Sequence, residues 1–128
     1  MELRVFLVED LSTMRGLLED VFATVGRIQL VGTAATEAEA ILWLEDHPGS
    51  WDLAVVDLVL EQGSGIGVVG HARRLGTPGA KVVVFSGYVT PAVSAHCIRL
   101  GADMAFDKAQ TSDFIDWLAR LARGAAGD

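Results

Sequence analysis

The chain has 128 residues, with 17 Asp and Glu against 10 Lys and Arg, a formal charge of −7 and 51% hydrophobic residues. That length supports one buried core and not two, and the acidic balance excludes a surface built to neutralise nucleic-acid phosphates, which needs excess Lys and Arg. A single cysteine, Cys97, excludes an internal disulfide; together with the lack of a signal peptide or a membrane-length apolar run, it makes the reducing cytoplasm the expected compartment, without membrane insertion.

In chain order, the first predicted element is a strand over Leu3 to Val8, an apolar run interrupted by Arg4 and stopped by Glu9 and Asp10. Leu11, Met14, Leu18, Val21, Phe22 and Val25 then repeat at helical spacing, and Gly26 falls just past them, where a left-handed residue is needed. Ile28 to Val31 is a second strand. Thr36-Glu37-Ala38-Glu39 reads as a capping box opening a helix that His47-Pro48-Gly49 ends. Leu53 to Val56 and Lys81 to Phe85 are further strands, continuous rather than alternating in their apolar residues, as in a parallel sheet buried on both faces. Thr90-Pro91 opens a helix with Thr90 as its cap; Cys97 lies in its apolar pattern as a packed thiol, and Gly101 follows its end. Met104 to Phe106 is a weaker fifth strand. Phe114, Ile115, Leu118, Leu121 and Ala122 mark the last helix, which places one domain at 1–123 and a flexible tail at 124–128. Five strand and helix alternations predict an α/β doubly wound parallel sheet with right-handed crossovers, whose ligands sit beyond the carboxyl ends of the strands.

Polar residues follow the buried runs at four of those ends: Glu9 and Asp10, Asp57, Ser86, and Lys108. Three carboxylates in one crevice repel one another and a single Lys cannot neutralise them, so a hard divalent cation is expected, with Mg²⁺ preferred because it accepts a few carboxylates plus water and phosphate oxygens. His47, His71 and His96 show no shared ligand spacing for zinc. A carboxylate in such a site can attack phosphorus, with Lys108 pairing with one phosphoryl oxygen and the Ser86 hydroxyl donating to another, which makes Asp57 the candidate acceptor.

Val8-Glu9-Asp10, Val55-Val56-Asp57-Leu58, Gly63-Ser64-Gly65, Phe85-Ser86-Gly87-Tyr88, Gly101-Ala102-Asp103 and Phe106-Asp107-Lys108 resemble response-regulator receiver domains across essentially the whole chain. The resemblance implies a flavodoxin-like (βα)5 fold with strand order 2-1-3-4-5. It also implies Mg²⁺ held by Asp10, Asp57 and the Val59 backbone carbonyl with Glu9 assisting, and phosphotransfer from a histidine kinase or histidine phosphotransfer protein. On this reading the chain is a phosphoacceptor with at most self-phosphorylation and autodephosphorylation activity. Its signal would leave through contacts with a downstream protein target, since no DNA-binding or catalytic segment follows the last helix.

Two positions depart from the family's pattern. Ala105 stands where an inward-turning aromatic is usual, and strand alternation should turn Phe106 to the opposite face, into the core. Ala109 and Gln110 follow Lys108 where Pro, often after a cis bond, is common; without Pro a cis bond costs about 2.5–4 kcal/mol, so a loop that is trans or differently shaped is expected. These departures keep open a second possibility, a receiver-fold interaction module independent of phosphorylation. A flavodoxin is disfavoured because Glu9 and Asp10 would repel a flavin phosphate, and a haloacid-dehalogenase-like phosphatase because the required closely spaced Asp pair is missing from the first strand.

Overall fold

The computed structural model describes residues 2–125. Five strands, β1 (Leu3–Val8), β2 (Ile28–Ala34), β3 (Leu53–Val56), β4 (Lys81–Ser86) and β5 (Met104–Asp107), form one sheet in the order β2-β1-β3-β4-β5, every neighbouring pair parallel. Five helices alternate with them: α1 (Ser12–Val25), α2 (Glu37–Asp46), α3 (Gly65–Leu75), α4 (Pro91–Leu100) and α5 (Thr111–Ala125). This is the expected architecture, and its strand order reverses direction at β1 and β3, so the crevice above their carboxyl ends is the switch point. Gly124 and Ala125 of the expected tail lie within α5, and 126–128 lie outside the described residues.

Side chains alternate across the sheet because the strand period is two. Phe6, Val8, Ala54, Val56, Val82 and Val84 pack with Leu44, Val68, Val69 and Cys97 on the α2–α3–α4 face. Val5, Leu7, Leu53, Val55, Val83 and Phe85 pack with Leu18, Phe22, Phe114 and Leu118 on the α1–α5 face. The alternation also settles the fifth strand: Ala105 packs toward the first cluster, whereas Phe106 joins the second, edge-on to Phe114 with ring centroids 5.9 Å apart. Phe114 in turn stacks on Phe85 at 4.3 Å, and burying a side chain of that size contributes about 1.5–3 kcal/mol.

The caps read from the sequence form at Thr36 and Thr90, the first of them without the return bond from the Glu39 side chain that would complete a capping box. Thr36 accepts from the Glu39 amide at 3.1 Å and Thr90 from the Val93 amide at 3.2 Å, with Pro91 in the first turn. Gly101 ends α4 in the left-handed region at φ 120°. The second strand is longer than its apolar run, extending through Gly32, Thr33 and Ala34. Gly32 is a poor strand former by itself, but Trp43 of α2 lies over it so closely that a Cβ there would meet the indole at 2.5 Å. The indole stacks on Phe6 at 4.1 Å, so packing on the neighbouring strand, and not local propensity, extends the strand's end.

Candidate functional site at the carboxyl ends of the strands

Each strand that borders the switch point delivers its polar residue where the apolar run stops. Glu9 follows β1 and Asp57 follows β3; Ser86 ends β4, and all three are buried, at 1%, 5% and 0% exposure. Asp10 is half-buried beside them. Lys108 opens a short 3-10 turn, Lys108–Gln110, directly after β5. Residues from four strand ends thereby share one crevice.

Asp57 is its centre. Its Oδ1 accepts from the Ser86 hydroxyl at 2.7 Å and from the Val59 amide at 3.3 Å. Its Oδ2 pairs with Lys108 Nζ at 3.3 Å, and the same ammonium reaches Glu9 Oε1 at 3.2 Å. Glu9 Oε2 also accepts from the Leu11 amide at 3.2 Å, while Asp10 Oδ2 accepts from the Glu61 amide at 2.8 Å. Burial, then the adjacent Asp57 charge, push the Glu9 carboxyl above its ordinary range, against the Leu11 amide and Lys108. Burial works to lower the Lys108 ammonium, but the Asp57 and Glu9 carboxylates outweigh it and hold it raised, hence charged.

One ammonium therefore faces three carboxylates, and the imbalance falls where donor atoms converge: one oxygen from each of Glu9, Asp10 and Asp57 lies within 4.8 Å of the others. An all-oxygen, anionic donor set of this size suits a hard divalent cation such as Mg²⁺, which completes its shell with water and phosphate oxygens. Val59 sits in the loop after Asp57, paired with Ser64 in an isolated antiparallel bridge. The hydrogen bond of that bridge runs from the Gly65 amide to the Leu58 carbonyl at 3.0 Å and does not use the Val59 carbonyl.

The Gly63-Ser64-Gly65 segment has a steric reason. Gly63 holds φ 81°, and a Cβ on Gly65 would fall 2.0 Å from the Asp57 carbonyl oxygen, so α3 can start this close to the acceptor strand only with glycine. Ser64 caps α3 by accepting from the Ile66 amide at 3.1 Å. Glu37 lies in the capping sequence that opens α2, and its carboxylate also accepts from the Ser64 amide at 2.8 Å and presses against Gly63 and Gly67, tying α2 to the loop that carries Val59. The two glycines spaced around Ser64 were the available signal for such a close approach.

The departures at β5 also have a structural outcome. No described peptide bond is cis, so the turn after Lys108 is trans. Asp107 and Gln110 cap that turn reciprocally: Asp107 Oδ1 accepts from the Ala109 amide at 2.9 Å, and Gln110 Oε1 accepts from the Asp107 amide at 3.0 Å. Tyr88, in the loop after Ser86, is 75% exposed. His47 and His71 bond to carbonyls of their own helices and take no part in the crevice, and Cys97 is fully buried. No described helix is long and apolar enough to cross a membrane.

No curated protein sequence matches the chain. Among solved structures it is similar to the response regulator domain of Thermotoga maritima CheB, with TM-score 0.79, 21% identity, and 95% of this chain and 96% of that one covered. The signal receiver domain of the response regulator NarL from Mycobacterium tuberculosis is similar with TM-score 0.79 and 22% identity, covering 96% and 98%. A chain of the CheX–CheY–BeF3–Mg²⁺ complex of Borrelia burgdorferi is similar with TM-score 0.75 and 21% identity, covering 87% and 84%. The family described as the response regulator receiver domain matches residues 5–118, nearly the whole sheet and its helices. The chain accordingly belongs to the response regulator receiver domain family.

Proposed function

We propose that Asp57 accepts a phosphoryl group from a phosphohistidine of a histidine kinase or histidine phosphotransfer protein, and that the modified domain signals to a downstream protein target. The observation that carries this reading is the buried Asp57 carboxylate held between Ser86 Oγ and Lys108 Nζ and converging with the oxygens of Glu9 and Asp10. A bond forms between an Asp57 carboxylate oxygen and phosphorus as the P–N bond to the donor imidazole breaks, its electron pair leaving with nitrogen. The Lys108 ammonium pairs with one transferred oxygen, and the Ser86 hydroxyl turns its proton from Asp57 to another. Glu9, Asp10, Asp57 and the Val59 carbonyl would hold Mg²⁺, which when bound supplies positive charge against the phosphoryl oxygens.

The chain acts as a phosphoacceptor in the cytoplasm, not as an enzyme with a separate turned-over substrate. Beryllofluoride, a phosphoryl mimic, tests this: with Mg²⁺ it should shift the amides of residues 57–59 and 86–89 in NMR spectra, and Asp57→Asn should abolish the shifts. Unchanged wild-type spectra would overturn the proposal. The half-buried Ala105, which offers no ring to move, favours a second reading in which the fold docks a partner regardless of phosphorylation. Partner binding that survives Asp57→Asn unchanged would select that reading.

A further inference from the structure

Asp107 makes a contact that capping the turn does not require. One carboxylate oxygen, Oδ1, caps the Lys108–Gln110 turn through the Ala109 amide at 2.9 Å. The other, Oδ2, accepts from the Val89 amide at 3.1 Å, across from β5 to the loop that follows Ser86. The residues bracketed in this way are the two that grip Asp57. Ser86 lies three residues before Val89 and donates to Asp57 Oδ1 at 2.7 Å; Lys108 lies next to Asp107 and pairs with Asp57 Oδ2 at 3.3 Å. Strand pairing closes the frame below, with Ser86 in register with Asp107. The half-exposed carboxylate is held below the usual range by the Ala109 and Val89 amides together, so both contacts form with the ionised group.

We infer that Asp107 is a positioning residue that couples the Ser86 loop to the Lys108 turn, so that the two phosphoryl-binding groups move as one unit when Asp57 is modified. This rests on Asp57 being the acceptor. A rotation of Ser86 toward a phosphoryl oxygen displaces Gly87 to Val89, and the Val89 amide carries the displacement to the Asp107 carboxylate and the turn that aims Lys108. The bracket does the linking with backbone amides and one carboxylate, so it needs neither an aromatic at Ala105 nor a Pro at Ala109.

The chemistry of Asn separates coupling from capping. Asn has one acceptor oxygen, which can keep the Ala109 cap, while its amide group would present a donor to the Val89 donor and break that contact. With beryllofluoride and Mg²⁺, the wild-type domain should shift the amides of Val89, Ala109 and Gln110. In Asp107→Asn the Val89 shift should persist while those of Ala109 and Gln110 fall by about half or more, as expected when a two-segment element is cut. Asp107→Ala should lose the Ala109 and Gln110 response as well, and the melting temperature of Asp107→Asn should stay close to wild type. Equal responses in Asp107→Asn and wild type would overturn the coupling alone. A wild-type spectrum that beryllofluoride leaves unchanged would remove the acceptor reading and the coupling with it.

Discussion

The two ends of the sheet use the same residue types to opposite effect. At the amino ends of the strands each carboxylate has at least one cation of its own. Arg4 pairs with Asp52 through its guanidinium at 2.9 Å, and the Arg4 amide donates to the same carboxylate at 2.8 Å. Arg73 pairs with Asp103, donates to the Gly101 and Ala80 carbonyls, and thereby ties α3 to the α4–β5 connection. Lys81 lies at 4.0 Å from the same Asp103. At the carboxyl ends, by contrast, three carboxylates meet one ammonium, and Glu9 and Asp57 are more deeply buried than any of the paired groups at the other end. The paired end holds the fold together, whereas the mismatched end stores a charge imbalance that binding can relieve.

That contrast can be broken from either side. The largest effect is expected at Lys108, the one cation touching Asp57 among the described ion pairs. Lys108→Ala should slow phosphorylation of Asp57 by a small-molecule phosphodonor by about 100-fold or more, the usual cost of removing one donor to developing negative charge, with the rate followed by intact mass. A rate within a few-fold of wild type would show that the ammonium only balances Glu9.

Smaller effects of opposite sign are expected from a matched pair of amide substitutions, measured by thermal unfolding without metal. Asp10→Asn removes one of the repelling carboxylates yet keeps an oxygen for the Glu61 amide, and should stabilise the metal-free domain by about 0.5–1 kcal/mol while weakening its stabilisation by Mg²⁺. Asp52→Asn should instead destabilise. Its carboxyl is held below the ordinary range chiefly by the Arg4 guanidinium, so its contribution is fully present above the unfolded value of about 3.9 and is lost as pH falls through the folded value. Asp52→Asn should therefore flatten the acid limb of the stability curve. Both partners are more than a third exposed, which limits the effect to the low end for such bridges. Like signs for the two substitutions would remove the distinction between the ends.

Much of this arrangement was legible in the sequence because it depends on local patterns. Continuous apolar runs ending in Glu9, Asp57 and Ser86 carry both the buried strand and the polar residue at its end, and in a parallel sheet those ends must meet. The core placement of Phe106 followed from the two-residue period alone. What escaped depends on contacts between segments far apart in the chain. Gly32 and Thr33 lie beyond the apolar run Ile28 to Val31, and only the packing of Trp43 over Gly32 accounts for the strand's continuation. Asp107 reads as one more acidic residue before a Lys, and only the register of β4 with β5 brings the Val89 amide to it. The second role of Glu37 likewise appears only once α2 and the β3–α3 loop are side by side.

The acceptor claim is tested most directly by incubating the domain with acetyl phosphate, measuring intact mass, and mapping any modified residue by peptide sequencing after reductive trapping. The account predicts the gain of one phosphoryl group at Asp57, dependent on Mg²⁺, suppressed by a chelator and absent from Asp57→Asn. An unmodified chain under those conditions, or a modification that persists in Asp57→Asn, would contradict it.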